Sequence, residues 1–306
     1  MNEKKKIPVI IDTDIGDDID DTWALVFALL SESLDIKLVT TVLGDPIYRA
    51  NLIAKLNESC GKGHIDIGLC RHGERPTIEY QGKWVEDYAL SQYPGRIYDD
   101  GVDRMIEIVK QTDETVTVLA LGPCTNLAEA VKRYPEFAEK VRVVGVFVSI
   151  NVGYFGSEPC AEYNVVSDVE AAKIFLSSYK DIIITPIDTC FDAVLDGERY
   201  ACLLNSRKKN GALDALLTNF EIWGNTHPHW KDKKFDHTSE LCDTVAVYMI
   251  LTNKGLVNEK LKLIVDDSGK TLVDESGSIV EAALKWDDLD YFLDYLTDAY
   301  CRAQND

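Results

Sequence analysis

The chain reads as an α/β protein: a mostly parallel, Rossmann-like open sheet with helices on both faces, in one domain spanning 1–306. Two observations predict this. Short apolar runs alternate with helix-like patterns along most of the chain, which argues for a parallel sheet covered by helices. Polar residues also gather where the strands end: Asp12 and Asp14, Gly44-Asp45, Gly122 to Asn126, Ser149 to Asn151, and Asp188. Open α/β sheets build their sites beyond those carboxyl ends. No linker and no internal repeat interrupts the alternation.

The elements follow in order. Ile7 to Ile11 is a short buried strand, and Asp20 to Leu30 a helix with Trp23, Phe27 and Leu30 on one face. Ile36 to Val42 is a second strand, followed by a helix over Tyr48 to Leu56 and a third strand over Ile65 to Leu69. The segment 71–98 is irregular, rich in Gly, Pro and aromatics, and is a candidate lid or binding loop. A helix over Val102 to Val109 leads to a strand over Thr115 to Leu121, and Gly122-Pro123 opens another helix near Asn126. Val141 to Val148 is a strand, Asp168 to Ser177 a helix, and Ile182 to Ile187 a strand. Helices cover Leu213 to Trp223 and Thr244 to Leu251; a second candidate binding loop is 223–238. A small β segment around Ile264 to Val280 and a helix over Leu289 to Arg302 complete the chain.

Composition narrows the function. A hydrophobic content of 46% supplies a large core, and 52 acidic against 32 basic residues give a net charge of −20. No basic stripe exists to neutralise phosphates, so nucleic acid is excluded as a partner. Lys4-Lys5-Lys6 is a solvated terminal cluster. Phosphorylated metabolites are repelled over distance, whereas neutral molecules and cations are not. No apolar stretch reaches the ~18 residues of a membrane span, so no membrane is expected. The eight cysteines show no paired-motif spacing and no signal peptide precedes them, which fits reduced thiols in a cytoplasmic protein.

The densest signal is "VIIDTDIGDDIDDTWAL", where Asp12, Asp14, Asp17, Asp18, Asp20 and Asp21 fall within ten residues. A helix cap and surface charge explain one or two of them. Six at short range raise one another's pKa and cost stability. A hard cation such as Ca²⁺, which takes about six to eight oxygens, removes the conflict. The run is not an EF-hand, because its ligand spacing and twelfth-position Glu are missing. A Mg²⁺-dependent phosphatase of haloacid dehalogenase type also places DxD after a first strand and stands as a competitor built on Asp12 and Asp14.

Four stretches, "DTDIGDDIDDTWAL", "LGPCTNLAEA", "AEYNVVSDVEAAKIF" and "CDTVAVYMI", occur in one order from Ile7 to about Ile250. Together they resemble the inosine-uridine type of nucleoside hydrolase, which cleaves the N-glycosidic bond of ribonucleosides with a bound calcium ion. The usual first motif is DxDxGxDDA; here two further residues precede the second Asp pair, which aligns with Asp20 and Asp21. The resemblance implies Asp14 as general base and metal ligand, Asp12 as a ligand or its support, Asp21 as bidentate ligand, and Asp243 as the last ligand. It implies the Thr125 carbonyl in the metal shell, and Asp20, Glu162 and Asn164 on the ribose hydroxyls. It also implies a small-molecule ribonucleoside as partner, a homodimer or homotetramer, and a place in purine and pyrimidine salvage. Carboxylates suit this chemistry because cleavage passes through an oxocarbenium-like sugar.

Departures from the pattern bear on the base. Many members have a His immediately before the last metal Asp, serving as acid for the leaving group; here it is Cys242. A thiol titrates near 8.5 and is a leaving-group candidate, with inert packing as the plainer role. "WGNTHPHWKDKKFDH" offers His227 and Trp230 as base-binding residues and His237 as a second leaving-group candidate; Trp84 is a further stacking candidate. Asp45 replaces the usual Asn after the second strand's Gly, where the sugar's 5′ end would lie, and is expected to bind substrate. The stretch before Glu162 also lacks common family elements, so a modified ribose or unusual aglycone fits. A relative that binds Ca²⁺ and ribose without cleaving common nucleosides is the remaining alternative.

Overall fold

The computed structural model describes residues 5–70 and 76–302. Its centre is β1 (Ile7–Thr13), whose residues from Pro8 onward are buried. A strand covered on both faces reads as an unbroken apolar run, and IPVII is one. Among the described residues, ten strands form one sheet in the order β4-β3-β2-β1-β5-β6-β7-β10-β8-β9. They are β2 (Leu34–Thr41), β3 (Asp66–Gly68), β4 (Ile97–Tyr98), β5 (Val116–Ala120), β6 (Val141–Val146), β7 (Ile182–Thr185), β8 (Leu256–Val265), β9 (Thr271–Val273) and β10 (Ser278–Trp286). β1 to β7 pair in parallel, and β1 lies between β2 and β5. The strand order reverses there, which opens a crevice at the carboxyl ends of β1 and β5.

Helix α1 (Asp20–Leu30) buries every residue from Asp21 to Leu29. It therefore needs partners all round, and packs against the helices Cys242–Leu251 and Leu289–Cys301 as well as the sheet. Trp23 meets Phe220 and Tyr300 edge-on at 5.7 and 5.2 Å, and the Tyr300 hydroxyl donates to the Trp23 carbonyl at 2.7 Å. Helix α2 (Pro46–Ser59) starts at Asp45, whose carboxylate accepts from the Ile47 and Tyr48 amides, with Pro46 in the first turn. Apolar residues form one core on each face of the sheet.

Several elements differ from the sequence expectation, among them the strand expected over Ile182 to Ile187, which ends at Thr185 and is followed by a helical turn, Ile187–Cys190. The terminal β segment is not a separate small sheet: β10 pairs in parallel with β7 and antiparallel with β8, and so extends the main sheet. The segment expected to be irregular over 71–98 contains the helical turns Gly82–Val85 and Leu90–Gln92 and strand β4; its residues 71–75 lie outside the described residues. A helix over Gly197–Ser206 has no counterpart in the sequence reading, because only Tyr200 and Leu203 are buried and no apolar stripe marks it. No helix among the described residues is long and apolar enough to cross a membrane.

Candidate active site

The turn after β1 is held open by groups from α2. Gly16 has φ +126°, a conformation that side-chain-bearing residues rarely adopt, and a Cβ there would lie 2.5 Å from the Tyr48 ring. The Tyr48 hydroxyl donates to the Gly16 carbonyl at 3.0 Å. Arg49 is 1% exposed. Its guanidinium donates to the carbonyls of Leu43 (2.9 Å), Ile15 (2.7 Å) and Asp14, and pairs with Asp17 at 3.3 Å. Gln81 locks the same turn from the opposite side. It is fully buried, donates to the Asp18 carbonyl at 2.9 Å, and accepts from Thr22 and Asn219. Neither residue carries a recognisable spacing, and sequence reasoning missed both.

This frame brings together carboxylates from distant parts of the chain. Asp14, Asp20, Asp21 and Asp243 line one cavity of about 510 Å³. One carboxylate oxygen from each of Asp20, Asp21 and Asp243 lies within 4.8 Å of the others. Burial, then repulsion by Asp14, pushes the Asp21 carboxyl well above its ordinary value; burial, then repulsion by Asp20 and Asp21, does the same to Asp243, and Asp20 is raised by burial and by Asp18 and Asp21. The Thr13 hydroxyl donates to Asp21. Gly122, at the end of β5, lets Asp14 approach, since a Cβ there would lie 2.7 Å from Asp14 Oδ1. Such an all-oxygen donor set is what a hard divalent cation requires and what buried carboxylates without one disfavour.

Asp12 stands behind this group. Its Oδ1 accepts from Thr40 (2.6 Å) and Asn126 (2.7 Å), its Oδ2 has no partner, and burial raises its carboxyl to about 7. It supports the strand end and is absent from the cavity wall. Thr125 also stays off the wall with its side chain, which donates to Asp168 at 2.8 Å.

A second wall comes from the turn that opens the short helix Tyr163–Ser167. Glu162 caps it, accepting from the backbone amides of Val148, Asn164 and Val165, while burial raises its carboxyl to about 7. The Asn164 amide donates to the Leu121 and Val146 carbonyls at 2.7 and 3.0 Å. With its NH₂ spent, Asn164 offers the cavity its oxygen.

The third wall is aromatic. Trp223 stacks on His227 at 4.6 Å, Tyr80 meets the same imidazole edge-on at 4.8 Å, and Trp230 lies alongside. Burial lowers the His227 pKa, which favours the neutral ring, and its Nδ1 has no hydrogen-bond partner. The expected His227 and Trp230 therefore reach the cavity, and Trp223 and Tyr80 join them. Cys242 also lines it, beside Cys190, which with burial pushes the Cys242 thiol well up.

Three expected residues are elsewhere. Asp45 is exposed and spends its carboxylate as the α2 cap. His237 is absent from the cavity wall and is bonded to Asp236 at 2.7 Å. Trp84 is buried under Lys55, whose ammonium sits 4.9 Å from the ring centroid. An Asp before Pro and an aromatic in a loop look alike in sequence whether they face a ligand or the protein.

The family model described as inosine-uridine preferring nucleoside hydrolase matches residues 9–292. The probable uridine nucleosidase 1 of Oryza sativa subsp. japonica is 28% identical over 213 residues, covering 66% of this chain and 65% of that protein. The non-specific ribonucleoside hydrolase RihC of Escherichia coli O127:H6 is 26% identical over 224 residues, covering 70% of this chain and 72% of that protein. Among solved structures, a plant nucleoside hydrolase superposes with a TM-score of 0.81 at 23% identity, covering 96% of this chain and 99% of its own. The inosine-uridine preferring nucleoside hydrolase from Bacillus anthracis does so with a TM-score of 0.77 at 20% identity, again covering 96% and 99%. These two likenesses speak to the fold. The family match overturns the phosphatase alternative, since it takes in the acidic turn and Asp243 together.

Proposed function

The chain belongs to the inosine-uridine preferring nucleoside hydrolase family, and we propose that it hydrolyses the C1′–N bond of ribonucleosides to ribose and free base. One observation carries this reading: carboxylates from opposite ends of the chain, Asp14, Asp20 and Asp21 with Asp243, meet beside Glu162 and Asn164 in one cavity. The similarity to the rice uridine nucleosidase and the E. coli ribonucleoside hydrolase supports the same reading.

The buried oxygen cluster fits a calcium ion, which Asp14, Asp21 and Asp243 with the Thr125 carbonyl would hold, Asp12 supporting the strand end behind them and Asp20 standing beside them within reach of the sugar. When bound, calcium supplies Lewis acidity toward water and the ribose diol. Asp14 accepts the proton of the attacking water. As the C1′–N bond lengthens, positive charge grows on the sugar, and the surrounding carboxylates stabilise it more than the neutral ground state. Asp20, Glu162 and the Asn164 oxygen accept from the ribose hydroxyls, so a 2′-deoxy sugar leaves buried groups unpaired and reacts poorly. The Trp223–His227 stack and Tyr80 flank the base.

The test is a panel of uridine, cytidine, inosine and adenosine, assayed for free base and reducing sugar. We expect turnover that a calcium chelator abolishes and added Ca²⁺ restores. No base released from any nucleoside in the presence of Ca²⁺ overturns the reading. The same reading makes the protein a cytoplasmic salvage enzyme working as a homodimer or homotetramer, which light scattering after size exclusion tests.

A further inference from the structure

Two of the eight cysteines meet outside the carboxylate cavity. Cys202 lies on the helix Gly197–Ser206, and Cys301 is the last residue of the helix Leu289–Cys301. Their sulfurs are 2.9 Å apart, and both residues are half-buried. Together they line a separate cleft of about 490 Å³, with Glu198, Asn205 and Lys209. A small molecule from solvent can therefore reach the pair. Bonded sulfurs stand about 2.05 Å apart, so a small side-chain adjustment joins these two.

Neighbouring contacts hold the two thiols face to face without a bond. Arg199 pairs with Asp290 and Asp294, at 2.8 Å each, across the same two helices. The Asn210 side-chain amide donates to the Tyr300 and Arg302 carbonyls at 3.0 Å each. Both helices also back the carboxylate cluster. Leu195, just ahead of the first helix, exchanges two 3.0 Å hydrogen bonds with Thr238, in the segment that leads to Asp243. Tyr300, in the second, donates to the Trp23 carbonyl of α1, the helix that starts with Asp20 and Asp21.

We infer that Cys202 and Cys301 are a reversible modification site, oxidised to a disulfide by a low-molecular-weight disulfide such as oxidised glutathione, and that the bond clamps the last helix onto the fold. Atoms and electrons balance over two exchanges. The Cys202 sulfur attacks one sulfur of oxidised glutathione, whose S–S bond breaks, and one glutathione leaves carrying the Cys202 proton. The Cys301 sulfur then displaces the second glutathione from Cys202, which leaves carrying the Cys301 proton. Two protein thiols lose two electrons, and one glutathione disulfide gains them to become two thiols. Burial, then the Cys202 sulfur, pushes the Cys301 thiol up to about 12, so Cys202 attacks first. The two cysteines are 99 positions apart in sequence. A crosslink over so long a stretch takes much freedom from the unfolded chain. The inference holds whatever substrate the cavity takes.

The experiment equilibrates the 306-residue chain, with its C202S and C301S variants, in reduced or oxidised glutathione. Remaining thiols are then alkylated, linked peptides are mapped by mass, and each sample is melted. We expect a Cys202–Cys301 linkage in oxidised wild type that dithiothreitol removes. The oxidised chain should melt about 5–10 °C above the reduced one. Neither C202S nor C301S should show that rise. The wild-type peptide map decides the linkage by itself, even where a variant fails to fold. Both residues recovered as free thiols, or a glutathione adduct persisting on Cys202 in place of the linkage, overturns the inference. A linkage that forms without raising the melting temperature overturns the clamp.

Discussion

Replacing Asp243 by asparagine removes a charge while keeping shape, and its effect on the metal-free protein can be worked from the geometry. Asp20, Asp21 and Asp243 place oxygens within 4.8 Å of one another. At an effective dielectric of about 20, like charges at that separation repel by about 3.5 kcal/mol per pair. The variant removes two of the three pairs, or about 7 kcal/mol if all were ionised. Protonation offers an escape at about 1.4 kcal/mol for each pH unit above the ordinary value of 3.8. That caps the gain at about 6 kcal/mol at pH 8 and about 2 kcal/mol at pH 5.5. The sign follows from the direction of the shift. A carboxyl raised in the folded state is protonated there at low pH, and its stabilising difference is lost as pH climbs through the folded value. Thermal melts in chelator should therefore show D243N above wild type by up to about 12 °C at pH 8, taking about 2 °C per kcal/mol for a chain of this length, and by much less at pH 5.5. Saturating Ca²⁺ should raise wild type and leave the variant little changed. A metal-free D243N that melts below wild type at both pH values would refute the electrostatic reasoning.

Asp14→Asn should stay folded, with a metal-free melting temperature raised as in D243N because Asp14 repels Asp21 and Asp243, and should lower kcat by about 100- to 10,000-fold, the range of general base catalysis, as read by base release. Gly122→Ala places a Cβ 2.7 Å from Asp14 Oδ1 and 2.6 Å from Val42 Cγ1; displacing the base should cost about 100-fold in kcat. Arg49→Met strands three carbonyls and Asp17; urea melts should show a loss of about 3–5 kcal/mol.

The sheet and its switch point were legible because a parallel strand buried on both faces must be an apolar run, and the polar residues that end each run mark the crevice. Asp12 to Asp21 declared themselves by density. Asp243 did not: nothing local marks one Asp at a helix start, and only the family resemblance joined it to the turn after β1. Arg49 and Gln81 were invisible because their partners are mainly backbone carbonyls far away in sequence. Asp45 carried a readable signal, an Asp before a helix-starting Pro, which the substrate-binding expectation passed over. The terminal β segment was read only around Ile264 to Val280, short of the start of β8 and the end of β10, and which edge these strands join depends on β7 and has no local signature. Trp84 and Trp230 show the same limit: both were candidates to meet a base, and only packing separates the one under Lys55 from the one at the cavity.

The central claim is that one divalent ion is caged by the two ends of the chain. An anomalous difference map from crystals grown with calcium tests it most directly. A single strong peak per chain, bridging the carboxylates of Asp21 and Asp243 beside Asp14, is the predicted result. A map with no peak there, or with its peak remote from Asp243, would contradict the account.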